Sequence, residues 1–406
     1  MNWRQIVWGS VAVLACSSAA AATTTYNVPV LTDNSGPFAD LGKRLAARTK
    51  VIEWWNDNEG KKLGIRLNAK VYDTRYDPSV VASFWPGIVS SDKPVIGLGL
   101  GGPDVSALQE RLPNDKIPML YATPGYGYSW ASDSWIFNIR PSYVQEYLAG
   151  LNWFIENNPS KRPVKVAFIS TQQSPAFVDM VKGITKYVDE KLKPKGLAEI
   201  VATEWIPIQP VDLGSQIQRI SGAGADIIFG VANTAMAAAV VRAEQLHSVQ
   251  IPTMASPWHT IWPVAQAMKS YKPWEGHYTI TGIVPIAETG GPAHSFYEKL
   301  ASQYQLSKEW DPLTLLGISQ GVVAVKTIEI TAKRVGADKI TGQDVYETLT
   351  THKFSEDELE GFMRGLEFSK KAPFPLKGWV KVVTVKDGKY QPASDWVPVP
   401  EDIEKW

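Results

Sequence analysis

The chain has one cysteine among 406 residues and no surplus of either charge, 41 Lys and Arg facing 41 Asp and Glu. The lone Cys16 leaves the folded part without a disulfide, and a chain this long has core enough to need no such staple. Zero net charge argues against a nucleic-acid partner, whose phosphates select a basic face. Low-complexity tracts and long runs of one charge are missing beyond the first two dozen residues, which excludes a polybasic or acidic arm. Past Ala22 no apolar run approaches about 18 residues, the length of a membrane helix. The five histidines (His247, His259, His277, His294, His352) stand at no metal-ligand spacing, so no metal is expected.

The N-terminus has its own pattern. Arg4 precedes an apolar stretch from Ile6 to Ala15, too short for a bilayer, and small residues run from Cys16 to Ala22. That is the layout of a secretory signal peptide over residues 1–22, with Ala20-Ala21-Ala22 as the cleavage site. Val13-Leu14-Ala15-Cys16 loosely resembles a lipobox, but the stretch before it is short and leucine is out of place. Cleavage after Ala22 is therefore favoured over lipid anchoring at Cys16, and the mature protein is expected in the periplasm.

From Tyr26 onward short β-rich runs alternate with longer helical patterns. Strands are read at Val28–Leu31, Arg66–Asp73, Pro94–Leu98 and Pro118–Tyr121, with helices over Phe38–Asn58 and from Pro78 and Pro103. The order then repeats: strands at Val164–Ser170, Glu199–Trp205, Asp226–Gly230 and Pro252–Ala255 alternate with helices at Pro175–Lys191, Leu213–Ile220 and Ala235–His247. Such alternation implies parallel βαβ units, and two α/β lobes of similar plan are the simplest account. A strand at His277–Ile283 and helices around Ala293–Tyr304 and Leu313–Val335 follow. The tail carries Lys386-Asp387-Gly388-Lys389 between β-rich runs, a strong hairpin signal.

Ligands of open parallel sheets sit at the carboxyl ends of the strands, and clefts between domains are favoured pockets. The loops there (32–38, 99–103, 121–130, 170–175, 231–234 and 256–260) hold small, hydroxyl and aromatic residues and few charges. Such a lining suits binding better than acid–base catalysis. Tyr121, Tyr126, Tyr128, Trp130, Trp258 and His259 are its aromatic candidates.

The order of segments resembles the type I periplasmic binding proteins, in particular the Leu/Ile/Val-binding branch serving ABC transporters. The resemblance rests on Pro29–Phe38, Pro94–Gly102, Ile117–Pro124, Phe137–Ser142 and the Val382–Pro392 hairpin, and covers essentially the mature chain. It implies two Rossmann-like lobes with parallel central sheets, joined by three crossover hinge strands near Pro141, Gly276 and Gly365. The first lobe would comprise residues 23–141 and 276–364, the second 142–275 and 365–406. The ligand would lie between them, near Ser35, Leu100, Gly101, Tyr121, Thr123 and Tyr126 of the first lobe. Second-lobe contacts would come near Gln173, Ser174, Asn233, Trp258 and His259. The implied partners are a small-molecule ligand and an ABC permease in the inner membrane, with the protein acting as a monomer, without cofactor and without catalysis.

Two motifs offer other readings. Gly97-Leu98-Gly99-Leu100-Gly101-Gly102 fits G-x-G-x-x-G, but it follows the third strand, Pro103 comes at once, and no acidic residue ends the next strand. Backbone N–H groups receiving a ligand acceptor, or a structural tight turn, account for it better than a dinucleotide. Gly317-Ile318-Ser319-Gln320-Gly321 matches the hydrolase elbow G-x-S-x-G, yet it lies inside a continuous helical pattern, and only His352 follows. Packing is the expected role of Ser319, hydrolysis the alternative, and a sensor using the same cleft a further one.

The amino-acid binders of the resembling family pair the ligand's ammonium with a second-lobe carboxylate. Here the equivalent loop, Met254-Ala255-Ser256-Pro257-Trp258-His259-Thr260, has none, and an enclosed unpaired ammonium is expensive. The expected ligand is therefore a small aromatic or otherwise planar organic molecule such as a carboxylic acid, with an amino acid as the alternative.

Overall fold

The computed structural model describes residues 23–122, 134–231, 233–256, 261–306, 309–370, 375 and 377–406. Its first sheet has five parallel strands in the order β2-β1-β3-β4-β5: β1 (Thr24–Thr32), β2 (Ile65–Asp73), β3 (Gly97–Gly99), β4 (Met119–Tyr121) and β5 (Ile136–Asn138). The three short strands β3 to β5 are buried along their whole length, as expected where helices cover both faces of a parallel sheet.

The second lobe pairs β6 (Val164–Ser170) between β7 (Ala198–Trp205) and β8 (Ile227–Phe229), all parallel. A bridge between Ile228 and Thr253 connects β8 to a second set of strands. That set runs β9 (Met254–Ala255), β10 (Tyr278–Thr281), β13 (Trp379–Lys386) and β14 (Lys389–Pro392). β9 and β10 are parallel, while β13 is antiparallel to β10 and to β14. Asp387 and Gly388, both at positive φ (54° and 67°), form the expected hairpin turn. Two small pairings complete the set: β11 (Lys353–Ser355) with β12 (Gly365–Glu367), and β15 (Val397–Pro398) with β13.

The helices start where their first residues can be capped. Asp77 accepts from Ser79 N (2.8 Å) ahead of Pro78, and Ser142 and Gln145 satisfy each other's backbone N–H groups. Asp311 accepts from Leu313 N and Thr314 N at the head of the helix Pro312–Val335. By length and composition that helix could cross a membrane, which the sequence reading did not foresee, but 89% of its apolar window is buried inside the protein. It packs on the helix Ala47–Trp55, where a Cβ on Gly321 would come 2.8 Å from Val51, and a Cβ on Gly317 would come 2.9 Å from Leu45 at the end of the preceding helix. Ser319 lies within it, fully buried, donating to the Leu315 carbonyl (2.8 Å). This helix interior is no strand-to-helix elbow, so the G-x-S-x-G glycines serve close packing.

The chain passes between the lobes three times, and two of the passages differ from the expected positions. The first follows β5 at Ile139–Ser142. Gly276 does not mark the second, because β10 pairs with β9 and β13 in the second sheet, so the chain leaves that sheet only after Thr281. Gly365 does not mark the third either: β12 pairs with β11, and Phe368 packs edge-on against Phe137 of β5 (5.3 Å). At Phe368 the chain is thus still with the first lobe, and β13 belongs to the second sheet. Short strands without strong alternation gave the sequence no means of choosing their sheet.

The three passages lock together. Arg140 forms an ion pair with Glu146, both fully buried, and Glu146 also accepts from Gly282 N (3.2 Å). Gln145 donates to the Pro375 carbonyl (3.2 Å), and Pro141 sits so close that a Cβ on Gly282 or Gly378 would lie 2.7 Å from it. Residues from all three passages thus meet at one junction.

Candidate functional site

The carboxyl ends of the two parallel strand sets face one another across a gap. On the first lobe the floor is a hydrogen-bonded net. Buried Arg48 donates to the Leu31 carbonyl (2.8 Å) and to Gln320 (2.7 Å), and Gln320 donates to the carbonyls of Gly99 (2.9 Å) and Leu120 (2.8 Å). One arginine and one glutamine thereby hold the ends of β1, β3 and β4 in register. Burial lowers the Arg48 guanidinium to about 10 against the pull of Asp104.

Above this floor, Asp33 accepts from Gly36 N (2.5 Å) and Phe38 N (2.8 Å), fixing the loop that presents the Phe38 ring. Ser35 donates its hydroxyl to Asp73 (2.6 Å), so its polar group ties two loops together. The N–H groups of Leu100 and Gly101 both point at Asp104 Oδ2, at 2.7 and 3.4 Å. The loop expected to receive a ligand acceptor therefore already holds an acceptor of its own. Burial raises the Asp104 carboxyl to about 6, with those two hydrogen bonds and Arg48 acting the other way. Tyr121 is fully buried beneath the gap, and burial pushes its phenol well above the ordinary range.

On the second lobe Gln173 and Asn233 share one task. Gln173 accepts from Ile208 N (2.6 Å), while Asn233 donates to Ile208 O (2.7 Å) and caps the helix Thr234–His247 through Met236 N (2.9 Å). Both predicted contacts thus brace the segment around Ile208. Ser174, buried just before the helix Pro175–Tyr187, does face the gap, with the Tyr76 phenol of the first lobe as its neighbour. Thr123, Tyr126, Trp258 and His259, with Tyr128 and Trp130, lie outside the described residues.

The aromatic wall is made partly by residues that sequence reasoning missed. Phe38 and Tyr76 meet on the first lobe at 4.4 Å, and Tyr143 and Phe177 stack on the second at 5.8 Å. The Arg140 guanidinium lies 5.3 Å over the Tyr143 ring, which connects this wall to the passage junction. Tyr76 sits in Asp73-Thr74-Arg75-Tyr76-Asp77-Pro78, where the aromatic residue before an Asp-Pro helix start was the one available signal. Nothing in the local pattern marks Tyr143, the first residue of its helix.

The gap opens into a cavity of about 890 Å³, lined by Phe38, Arg44 and Leu313 from the first lobe and Gln209, Asn233 and Pro263 from the second. That volume falls within the ordinary range for small-molecule sites. At its edge Arg44 pairs with Glu309 (2.9 Å) and Asp311 (3.0 Å) of its own lobe, and its guanidinium stands 5.1 Å from the Trp262 ring of the other. Among the described residues no group of three His, Cys, Asp or Glu side chains is placed to hold a metal ion.

A family model described as periplasmic binding protein matches residues 25–388. No curated protein matches the chain in sequence. Among solved structures it is similar to a branched-chain amino acid ABC transporter from Thermus thermophilus with bound valine. That pair has a TM-score of 0.78 and 17% identity over 92% of this chain and 97% of the other. It is also similar to an ABC transporter solute-binding protein from R. palustris in complex with benzoate, with a TM-score of 0.72 and 16% identity over 93% and 98% of the two chains. A third, from Rhodopseudomonas palustris HaA2 in complex with p-hydroxybenzoic acid, gives a TM-score of 0.74 and 17% identity over 93% and 98%. At these identities the likeness is one of fold.

Proposed function

This chain belongs to the periplasmic binding protein family, and on that premise we propose that it captures a small planar aromatic acid between its lobes for an ABC permease in the inner membrane. Export would be directed by residues 1–22, and the lobes would close about the junction of the three passages, a recognised ligand-driven motion. One observation supports the ligand assignment: Phe38 lines the cavity and packs on Tyr76, and Tyr143, stacked on Phe177, stands near Tyr76 from the second lobe. Flat rings admit a flat guest, and each aromatic contact adds about 0.5–1.5 kcal/mol beyond area burial. The ligands of two neighbours of this fold, benzoate and p-hydroxybenzoic acid, have that chemistry.

The proposed contacts are Ser174 with the four rings, and Thr123, Tyr126, Trp258 and His259 from the flanking loops. Ser35, Leu100, Gly101, Gln173 and Asn233, whose polar groups are engaged within their own lobes, would give the gap its shape, and Tyr121 would support it from below.

Thermal-shift titration of residues 23–406 with benzoate, p-hydroxybenzoate, phenylalanine, leucine and valine tests the reading. A ligand at 100 times its Kd stabilises the folded state by about 2.7 kcal/mol, which should appear with the aromatic acids. Stabilisation by leucine or valine and by neither aromatic acid would overturn the ligand assignment.

A further inference from the structure

Arg75 and Tyr76 are consecutive non-glycine residues in the left-handed region, at φ 52° and 56°. L side chains rarely adopt that conformation, and where they do the surrounding structure must over-determine it, most often at ligand clamps and functional sites. Here it is held from both sides. Asp73 accepts from Arg75 N (3.2 Å) and also from Asn34 N (2.9 Å) and Ser35 Oγ (2.6 Å), so the turn is tied to the loop after β1. Thr74 Oγ1 accepts from Tyr76 N (3.3 Å), the Thr74 carbonyl accepts from Asp77 N (2.9 Å), and Asp77 then caps the next helix. Five hydrogen bonds therefore hold a turn that its side chains resist.

The outcome of that strain is where Tyr76 goes. Its ring stands 4.4 Å from Phe38, at a 50° tilt, on the first-lobe side of the gap. Ser174 and Tyr143, both of the second lobe, are its electrostatic neighbours across the gap. The Tyr76 side chain is partly buried, and desolvation pushes the phenol up to about 12.

We propose that Tyr76 is a specificity-determining residue: its ring, packed on the cavity-lining Phe38, is one face of the ligand chamber, and its bulk toward Ser174 of the second lobe sets how closely the lobes approach. A chamber of fixed narrow height accepts a flat ring and resists a branched aliphatic side chain. This rests on the aromatic-acid reading above and adds to it the residue that enforces the choice.

The test uses residues 23–406 as wild type, Tyr76→Phe, Tyr76→Ala, Tyr76→Gly and Ser174→Ala, with benzoate and valine as probes. Tyr76→Ala should weaken benzoate at least about tenfold and cut the benzoate-to-valine ratio of affinities by a similar factor. Tyr76→Phe, which keeps the ring, should retain most of the benzoate affinity. A ratio unchanged within about twofold in Tyr76→Ala would overturn the proposal. Ligand-free readings separate it from the aromatic-acid assignment. Tyr76→Gly should melt about 1–3 °C above Tyr76→Ala, because glycine accepts the positive φ. Tyr76→Ala and Ser174→Ala should each lower the radius of gyration in solution scattering, because the lobes lose bulk that holds them apart. If wild type bound neither probe, the ligand assignment would fail, and an unchanged radius in both variants would then sink the role of Tyr76 as well.

Discussion

The lobes touch in two very different ways. At the passage junction Arg140 and Glu146 are fully buried, and every segment that crosses is bonded or wedged against another. At the cavity edge Arg44 keeps about a third of its side chain in solvent and reaches the other lobe through a single ring. The first arrangement has no slack, so it is suited to remain intact in any relation of the lobes. The second exists only while the lobes stand close. A fulcrum and a rim contact are thus distinguished by burial and by how many partners each side chain has.

Mutations should reproduce that ranking. Breaking the junction is expected to cost most: Glu146→Gln or Arg140→Met leaves one buried charge without its partner, worth about 3–5 kcal/mol of stability in chemical denaturation. Burial already pushes the Glu146 carboxyl up against the pull of Arg140, so a paired replacement, Arg140→Met with Glu146→Leu, should recover much of the loss. If either single substitution were neutral, the junction would be no fulcrum.

Next comes the floor of the gap, through pH. Asp104 is raised to about 6 from an ordinary 3.8, chiefly by burial. The folded state therefore holds this proton more tightly than the unfolded chain does. Its stabilising contribution is complete below about pH 4 and is lost as pH rises through about 6. Asp104→Asn keeps an acceptor for Leu100 and Gly101, and should be more stable than wild type at pH 8 by about 1–3 kcal/mol, with little difference at pH 4. Parallel pH profiles for the two proteins would show that Asp104 is not held so.

Asn233→Ala comes third. It removes a helix cap and the tie to Ile208, at about 1–2 kcal/mol measured by thermal unfolding. A variant that lost ligand affinity at unchanged stability would return Asn233 to the set of direct contacts. The rim should matter least. Trp262→Phe keeps an aromatic side chain at this buried position while weakening a cation–π contact of about 0.5–1 kcal/mol, which should raise the rate of ligand release about twofold at a smaller stability cost than the other substitutions.

The same contrast separates what the sequence disclosed from what it hid. Strand–helix alternation, Pro78 opening a helix, and Asp387-Gly388 at a hairpin all act over a few residues, and each appears where it was expected. The Arg48–Gln320 net joins positions 272 apart, and the Arg140–Glu146–Gly282 junction joins segments 136 apart. No local pattern encodes such pairings, because they arise when distant elements come together. Hydroxyl and amide side chains at strand ends were expected near the gap. What the sequence could not reveal was that Ser35, Gln173 and Asn233 spend their polar groups on neighbouring loops. Tyr76 escaped notice for the opposite reason, since its position depends on two left-handed residues that composition disfavours.

Solution scattering of residues 23–406 with and without benzoate, alongside calorimetry on the same samples, tests the account most directly. Two lobes shutting on a flat aromatic acid predict saturable binding together with a smaller radius of gyration. Binding that left the radius unchanged, or no binding at millimolar benzoate, would contradict it.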